Sequence, residues 1–500
     1  MLILLLFIVL LTCHPHHVST TNHLQPSDTM DPSELQTLYT IMETLSLDQK
    51  WRLSYPNPCK PSASWVGIEC KRGVTDSHLH VTRLNFGTPP NPTCKNTASF
   101  PSEIFNLPYL QSIFFFQCFT ITKTMISVSK ISGPSSLQQL SFRSNPSLVG
   151  SIPSQLFFHL SSLQILTISQ SRISGRIPPE ISTMGSLVHL DMSYNQLTGA
   201  IPVELSKLRK LVGLDLSYNS LTGQIPKAIG QLGVLQKLDF SSNLLTGSVP
   251  ESVGKLTSLA FMALSNNGLH GKPPVGLANL KGLEYLIMEN NPMSTELPME
   301  FGLLPKLQEL RLANSGYTGE IPAIFSQLSN LTTLSLQNNR LTGNIPLGLG
   351  NLSHIYHLNL SKNLLSGEIP FDSGFLKRLG KNLDLSGNGQ LCLNPGEAHD
   401  SAKLGVDVCN RSNTRVGNSS SRIQPLKTSE GGVVEFSRPT LFFIDVFFLI
   451  ALSLPPIVLP PIASSSSSER IASSSSSLPL IAIPSHSNQC QNYFKICIFR

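Results

Sequence analysis

A period of 24 residues constrains this chain more than any other feature. Leu187–Lys210 (LVHLDMSYNQLTGAIPVELSKLRK) and Leu211–Val234 (LVGLDLSYNSLTGQIPKAIGQLGV) align without a gap. Both carry L-x-x-L-x-L-x-x-N-x-L-x-G-x-I-P. The asparagine slot recurs at Asn145, Ser171, Asn195, Asn219, Asn243, Asn267, Asn291, Ser315, Asn339, Asn363 and Asn388, in steps of 26, then 24 eight times, then 25. Such a period means one small unit stacked many times, each unit touching only its neighbours.

Inside a unit, Leu187, Leu190 and Met192 are spaced i, i+3, i+5. The final step of two is strand alternation. It turns Leu190 and Met192 inward and His189, Asp191 and Ser193 outward. One such strand cannot bury its own leucines, so strands must stack about 4.8 Å apart into a parallel sheet with a core behind it. Asn195 then turns the chain, its amide able to satisfy backbone groups in the bend. Ser171 and Ser315 can do only part of that, which predicts looser turns there. Gly199 supplies a permissive backbone and Pro202 fixes the exit. The same glycine recurs at Gly150, Gly175, Gly223, Gly319, Gly343 and Gly367, with KPP after Gly271, and Thr295 takes its place in TELP. The pattern is the leucine-rich repeat template. Its L-x-G-x-I-P half resembles the plant-specific subclass, which implies a second short strand per repeat and a twisted superhelix. The expected fold is therefore an α/β repeat solenoid with a parallel concave β-sheet and disulfide caps.

Residues 1–21 begin MLILLLFIVLL and read as a signal peptide, cleaved near Ser19–Asn22. Residues 31–82 read as an N-terminal cap. A helix is expected over Asp31–Ser46, capped by Asp31, with Pro32 in its first turn and Glu34 completing a capping box. Leu35, Leu38, Met42 and Leu45 share one face of it. Residues 83–136 hold degenerate repeats, with strands expected around Val81–Phe86 and Leu110–Cys118. The phenylalanine-dense stretch there is read as core packing, with a ligand pocket as the alternative. Regular repeats fill 137–391 and a C-terminal cap 392–409. A polar stalk follows at 410–439, a weak membrane or anchor segment at 440–463, and a low-complexity, serine-rich tail at 464–500 that reads as a misjoined or intron-derived extension. The apolar run Leu441–Leu454 holds 14 residues and Asp445, short of the ~20 that span a bilayer.

Catalysis finds little support. A kinase needs about 250 residues, more than follow Cys409, and no glycine loop, H-R-D, D-F-G or G-x-S-x-G motif occurs. Asp191, Asp215 and Asp239 stack on successive strands, read here as a solvated row of the common LDLS filling rather than an acid–base ladder. The 13 histidines show no metal spacing with cysteine, so no metal or cofactor is expected. A net charge of +6 on 500 residues, without a basic stripe, does not point to nucleic acid.

Signal, paired-cysteine cap after a W-x-G-I-x-C segment, L-x-G-x-I-P repeats, a second cysteine pair and the lack of kinase motifs together resemble the plant leucine-rich repeat receptor-like proteins. The stretches MDPSELQTLYTIMETLS, SLQQLSFRSNPSLVGSIP, LPKLQELRLANSGYTGEIP and FLKRLGKNLDLSGNGQLCLNPGEA resemble the branch of TOO MANY MOUTHS, the Piriformospora indica-insensitive proteins and receptor-like protein 29. The resemblance implies a non-catalytic cell-surface protein, at the plasma membrane or in the cell wall. It would recognise a peptide or protein ligand together with a receptor kinase, in development or defence. A secreted inhibitor of a wall-degrading enzyme, similar to the polygalacturonase inhibitors, is the alternative.

Three sets of site residues follow. Cys59–Cys70, Cys94–Cys118 and Cys392–Cys409 pair by proximity, out of fifteen possible connectivities. N-glycosylation sequons stand at Asn330, Asn351, Asn359, Asn410 and Asn418. On the concave face, outward positions that are small or polar in most repeats become Phe261, Tyr285, Ile287, Glu289, Glu309 and Arg311. Exposed aromatics beside charge are what interface hot spots favour. Drift on a tolerant surface is the other reading.

Overall fold

A computed structural model describes residues 29–409, apart from 61–63, 74–75, 77, 129–134 and 397–403. The signal peptide, stalk, anchor segment, tail, Asn410 and Asn418 lie outside the described residues.

Leucines at the two inward positions of each unit produce one continuous sheet of 14 strands, from Ile68–Arg72 to Leu383–Asp384. From Leu79–Phe86 onward every pair in it is parallel and joins residues one repeat apart, as Leu190, Leu214 and Leu238 do. Those leucines are at most 1% exposed, so the core runs the length of the array. The first pair breaks the expected pattern. Ile68–Arg72 runs antiparallel to Leu79–Phe86, so the cap covers the sheet edge with a hairpin. Behind the sheet, the proline of I-P sets φ near −66° at Pro178 and Pro202, immediately before 3-10 turns at Pro179–Thr183 and Val203–Lys207. The repeating glycine sits at positive φ, 78° at Gly199 and 80° at Gly223, as the bend before that proline requires.

The asparagine slot works across repeats as well as within one. Asn243 Nδ2 donates to Leu216 O of the preceding repeat and to Phe240 O and Ser241 O of its own, while its Oδ1 accepts from Leu221 N. Serine spans it only at the long limit: Ser315 Oγ lies 3.5 Å from Met288 O of the preceding repeat and accepts from Asn291 N at 3.4 Å. Ser315 Oγ reaches Ala313 O at 2.9 Å, and Met293 N, which an asparagine there would have taken, turns to Asn291 O instead. The second sheet also fails here. Its six strands end at Gly268–Leu269, and a new pair starts at Thr318–Glu320 with only an isolated Glu296–Thr318 bridge between. Thr295 stands in the glycine's place and positive φ moves to Ser294, at 49°, because a β-branched residue resists it.

In the N-terminal cap the helix spans Pro32–Leu45, and Asp31 Oδ1 accepts from Ser33 N and Glu34 N. Glu34 does not close a capping box. Its buried carboxylate accepts from Val81 N at 2.9 Å and meets His80 Nδ1 at 2.6 Å, tying the helix to the first sheet. His80 stacks on Tyr109. Burial opposes its protonation, but Asp76 and Glu34 outweigh that and hold its pKa above the ordinary imidazole value. Most of the phenylalanines are core: Phe115 stacks on Phe142 at 4.9 Å and Phe100 packs against both. The exceptions point outward, with Arg83 over the Phe114 ring and Phe116 37% exposed. Disulfides join Cys59–Cys70, Cys94–Cys118 and Cys392–Cys409. Among the described residues no helix is long and apolar enough to cross a membrane.

Candidate functional site on the concave sheet

Three adjacent strands, Phe261–Ala263, Tyr285–Ile287 and Glu309–Arg311, carry the outward residues singled out from sequence. Parallel register fixes their neighbours: Phe261 beside Tyr285 beside Glu309, and Ala263 beside Ile287 beside Arg311. The Phe261 and Tyr285 rings lie 5.9 Å apart at 40°. Lys237 Nζ, bonded to Asp215 Oδ2 at 2.9 Å, sits 5.6 Å from the centre of the Phe261 ring. Glu309 and Arg311 pair with each other on one strand.

Exposure differs from the sequence expectation. Phe261, Tyr285, Ile287, Glu289 and Glu309 are half-buried, and only Arg311 is exposed. The concave sheet sets each outward side chain between its neighbours one strand spacing away, and long chains cover one another. Burial, with Glu284 and Glu309 adding to it, raises the Tyr285 hydroxyl pKa. Burial also raises that of Glu289, against the pull of Arg311.

The aspartate row is not solvated either. Asp191 is 9% exposed. Asp239 is pushed up to about 7 by burial and by Asp215 beside it, and burial with Asp215 raises Asp191 too. Each carboxylate caps its own strand: Asp191 Oδ1 accepts from Ser193 N at 3.0 Å and Ser193 Oγ at 2.7 Å, and Asp215 does the same with Ser217.

One row escaped sequence reasoning. The residue before each asparagine slot adopts positive φ, 52° at Tyr194 and Tyr218 and 54–57° at Asn266, Asn290, Asn314 and Asn338. The Tyr194 and Tyr218 rings stack at 4.1 Å. The asparagines form an exposed ladder, each Nδ2 donating to the Oδ1 before it at 2.8, 2.8 and 2.6 Å from Asn290 through Asn338. Asparagine recurring at that offset was the available signal, since it tolerates this backbone better than most residues.

Of the described sequons, Asn330 and Asn351 are exposed, and Asn330 Nδ2 donates to Pro305 O. Asn359 is half-buried on the concave sheet with Oδ1 held by Ser361 N and Oγ. No cluster of His, Cys, Asp and Glu among the described residues could hold a metal.

Leucine rich repeat family profiles match residues 186–208, 209–269 and 330–352. "Receptor like protein 29" of Arabidopsis thaliana is 56% identical over 170 residues, 34% of this chain and 36% of that protein. "Piriformospora indica-insensitive protein 2" of Arabidopsis thaliana is 32% identical over 154 residues, 29% of this chain and 34% of that protein. The matches thus span about a third of each curated relative. The crystal structure of PEPR1-AtPEP1 superposes with a TM-score of 0.59 at 28% identity, over 72% of this chain and 49% of that one.

Proposed function

We propose that this chain, a leucine-rich repeat receptor-like protein of the plant type, is a non-catalytic recognition protein of the extracellular face of the plasma membrane or the wall. Its concave sheet binds a peptide or protein ligand and works with a receptor kinase ectodomain. The observation that carries this is the register-aligned pair Phe261–Tyr285, flanked by Lys237 and by the Glu309–Arg311 pair. Half-buried rings lose little side-chain freedom on binding and still offer apolar area, and the charges around them give orientation. Signal peptide, C-terminal anchoring and glycans at Asn330 and Asn351 belong to the same proposal. Glycosidase treatment should increase gel mobility, and an unchanged band rules the glycans out.

The test of function is capture. Secreted protein is presented to a panel of receptor-kinase ectodomains and to candidate wall-degrading enzymes. Capture of a kinase ectodomain, lost in the Phe261→Ala/Tyr285→Ala variant, is the expected result. Equal capture by a folded double variant removes this face from the interface, and capture of a wall-degrading enzyme alone replaces the receptor reading with an inhibitor.

A further inference from the structure

A neutral imidazole carries one N–H and one lone pair, so it can donate to only one carboxylate. His80 faces two. Its Nδ1 lies 2.6 Å from Glu34 Oε2, and its Nε2 lies 3.0 and 3.1 Å from the two oxygens of Asp76. Both contacts are hydrogen bonds only when the ring is protonated and both nitrogens donate. The ring is buried, stacks on Tyr109 at 3.8 Å, and stands opposite Lys71 in the hairpin register. The other titratable groups around it are already engaged. The Tyr109 hydroxyl reaches Asp76 Oδ2 at 3.5 Å, the His78 ring meets Thr29 O, and Asp31 caps its own helix. The two carboxylates are not equal. Glu34 is buried, and its second oxygen accepts from Val81 N at 2.9 Å. Removing its imidazole donor would strand a buried charge. The Asp76 side chain is 37% exposed and can exchange His80 for water.

We propose that His80 is a proton-held clasp, joining the cap helix Pro32–Leu45 through Glu34 to the hairpin that covers the sheet edge through Asp76. The proton that leaves to solvent is the one on Nε2. The remaining N–H stays on Nδ1 toward Glu34, and Nε2 then turns a lone pair on the Asp76 carboxylate. Lone pair and anion repel, and Asp76 swings out to water. Its Oδ1 also accepts from His78 N at 3.0 Å, beside the Gly73 N to His78 O bond that closes the hairpin. Loss of the clasp therefore loosens the hairpin while Glu34 keeps the helix tied to Val81. Burial disfavours the imidazolium, but Asp76 and Glu34 outweigh it, so the folded pKa lies above the ordinary 6.5. With a raised pKa, the stabilisation is full below the unfolded value and is lost as pH rises through the folded one. The clasp holds in mild acid and opens as the medium becomes alkaline.

The test is local, because Asp239 also sheds stability as pH rises. NMR of the full chain follows the His80 ring nitrogens from acidic to alkaline pH, and amide exchange is read as protection factors so that its intrinsic pH dependence cancels. The ring should titrate above free histidine and keep its last proton on Nδ1. His78 N should lose protection with the same midpoint while Val81 N keeps it. In Asp76→Asn the amide accepts from Nε2–H or donates to its lone pair, so the clasp stays closed at either pH. His78 protection should then be flat, and the His80 pKa should fall. His80→Gln, which cannot titrate, should also give a flat profile and serves if Asp76→Asn misfolds. Titration at or below free histidine, a last proton on Nε2, or a flat wild-type profile at His78 overturns the clasp. So does a His80→Gln profile that follows the wild type, or loss of protection at Val81 N together with His78 N.

Discussion

The repeats around Asn195, Asn219 and Asn243 and those around Asn267, Asn291 and Ser315 share one sheet but not one economy of polar groups. In the first stretch each slot amide bonds across two repeats, and each aspartate caps a serine. In the second, Met293 N has lost its cross-repeat acceptor, Ser265 Oγ and the buried hydroxyl of Tyr317 are unpaired, and the second sheet breaks. The same strands gain two rings and an ion pair on the outward face. A solenoid tolerates this because stability is nearly a sum over neighbouring repeats. Local losses in one region leave the next intact. Local rule-breaking concentrated beside a candidate site is what selection for binding rather than stability would leave.

The largest expected effect breaks that comparison if it fails. Asn243→Ala deletes three donated bonds and one accepted bond in a slot 6% exposed. With several buried groups orphaned at 1–3 kcal/mol each, a loss of about 3 kcal/mol or more is expected. Ser315→Ala, which loses one short hydroxyl bond to Ala313 O and two long contacts, to Met288 O and from Asn291 N, should cost about 1 kcal/mol. Denaturant melts of both variants check this, and equal costs would mean that the two stretches are not differently knitted.

The second effect is the pH response of the regular stretch. Burial and the neighbouring Asp215 push Asp239 up to about 7 when folded, against 3.8 for an ordinary aspartate. The folded state therefore holds a proton that the unfolded state gives up, and stability from this group is full below about 4 and declines as pH rises through about 7. Its slope is at most about 1.4 kcal/mol per pH unit. Asp239→Asn should flatten the melting midpoint between these limits, and a variant with the wild-type slope would show that the row is better hydrated than its burial implies. Ala263, next in register, has nothing to titrate.

How much of this was legible follows from what repeats. The period displayed the strands, the slot and the breaks at Thr295 and Ser315 because each unit is a template for the next. It could not show that Glu34 leaves its own helix for Val81 and His80, some 46 residues on, nor that the hairpin of Ile68–Arg72 opens the sheet antiparallel. These depend on which chain segments meet in the cap, where no second copy exists. The concave residues were placed correctly on one face, but their exposure was not readable. Phe261 and Tyr285 are half-buried by one another and by Lys237, a property of spacing between strands rather than of any residue. The orphan at Ser265 was written in the sequence as Ala263 for aspartate, and only the bonds made by Asp215 and Asn359 give that substitution a meaning.

The third effect concerns binding. If the irregular stretch is the interface, Phe261→Ala/Tyr285→Ala should weaken capture by at least about tenfold, near 1.4 kcal/mol, while His189→Ala in the regular stretch changes little. Biolayer interferometry with a captured partner ectodomain distinguishes these. A larger loss from His189→Ala would move the interface toward the aspartate row.

The smallest effect runs against the usual direction of mutation. Tyr317 replaces the leucine found at Leu197 and Leu221, is fully buried, and its hydroxyl has no partner. Burial alone drives its pKa far above the ordinary phenol value, so the hydroxyl stays neutral at any pH the fold survives. Tyr317→Phe keeps the ring and removes only the unpaired group, and should therefore be neutral or stabilising by up to about 1 kcal/mol. The same oxygen-deleting change made at a paired hydroxyl, Ser217→Ala, should destabilise by a similar amount because it strips a bond from Asp215. If Tyr317→Phe instead lowers the melting midpoint, a bound water or a shifted neighbour is satisfying the hydroxyl. The irregular stretch would then be better bonded than its count of unpaired groups suggests.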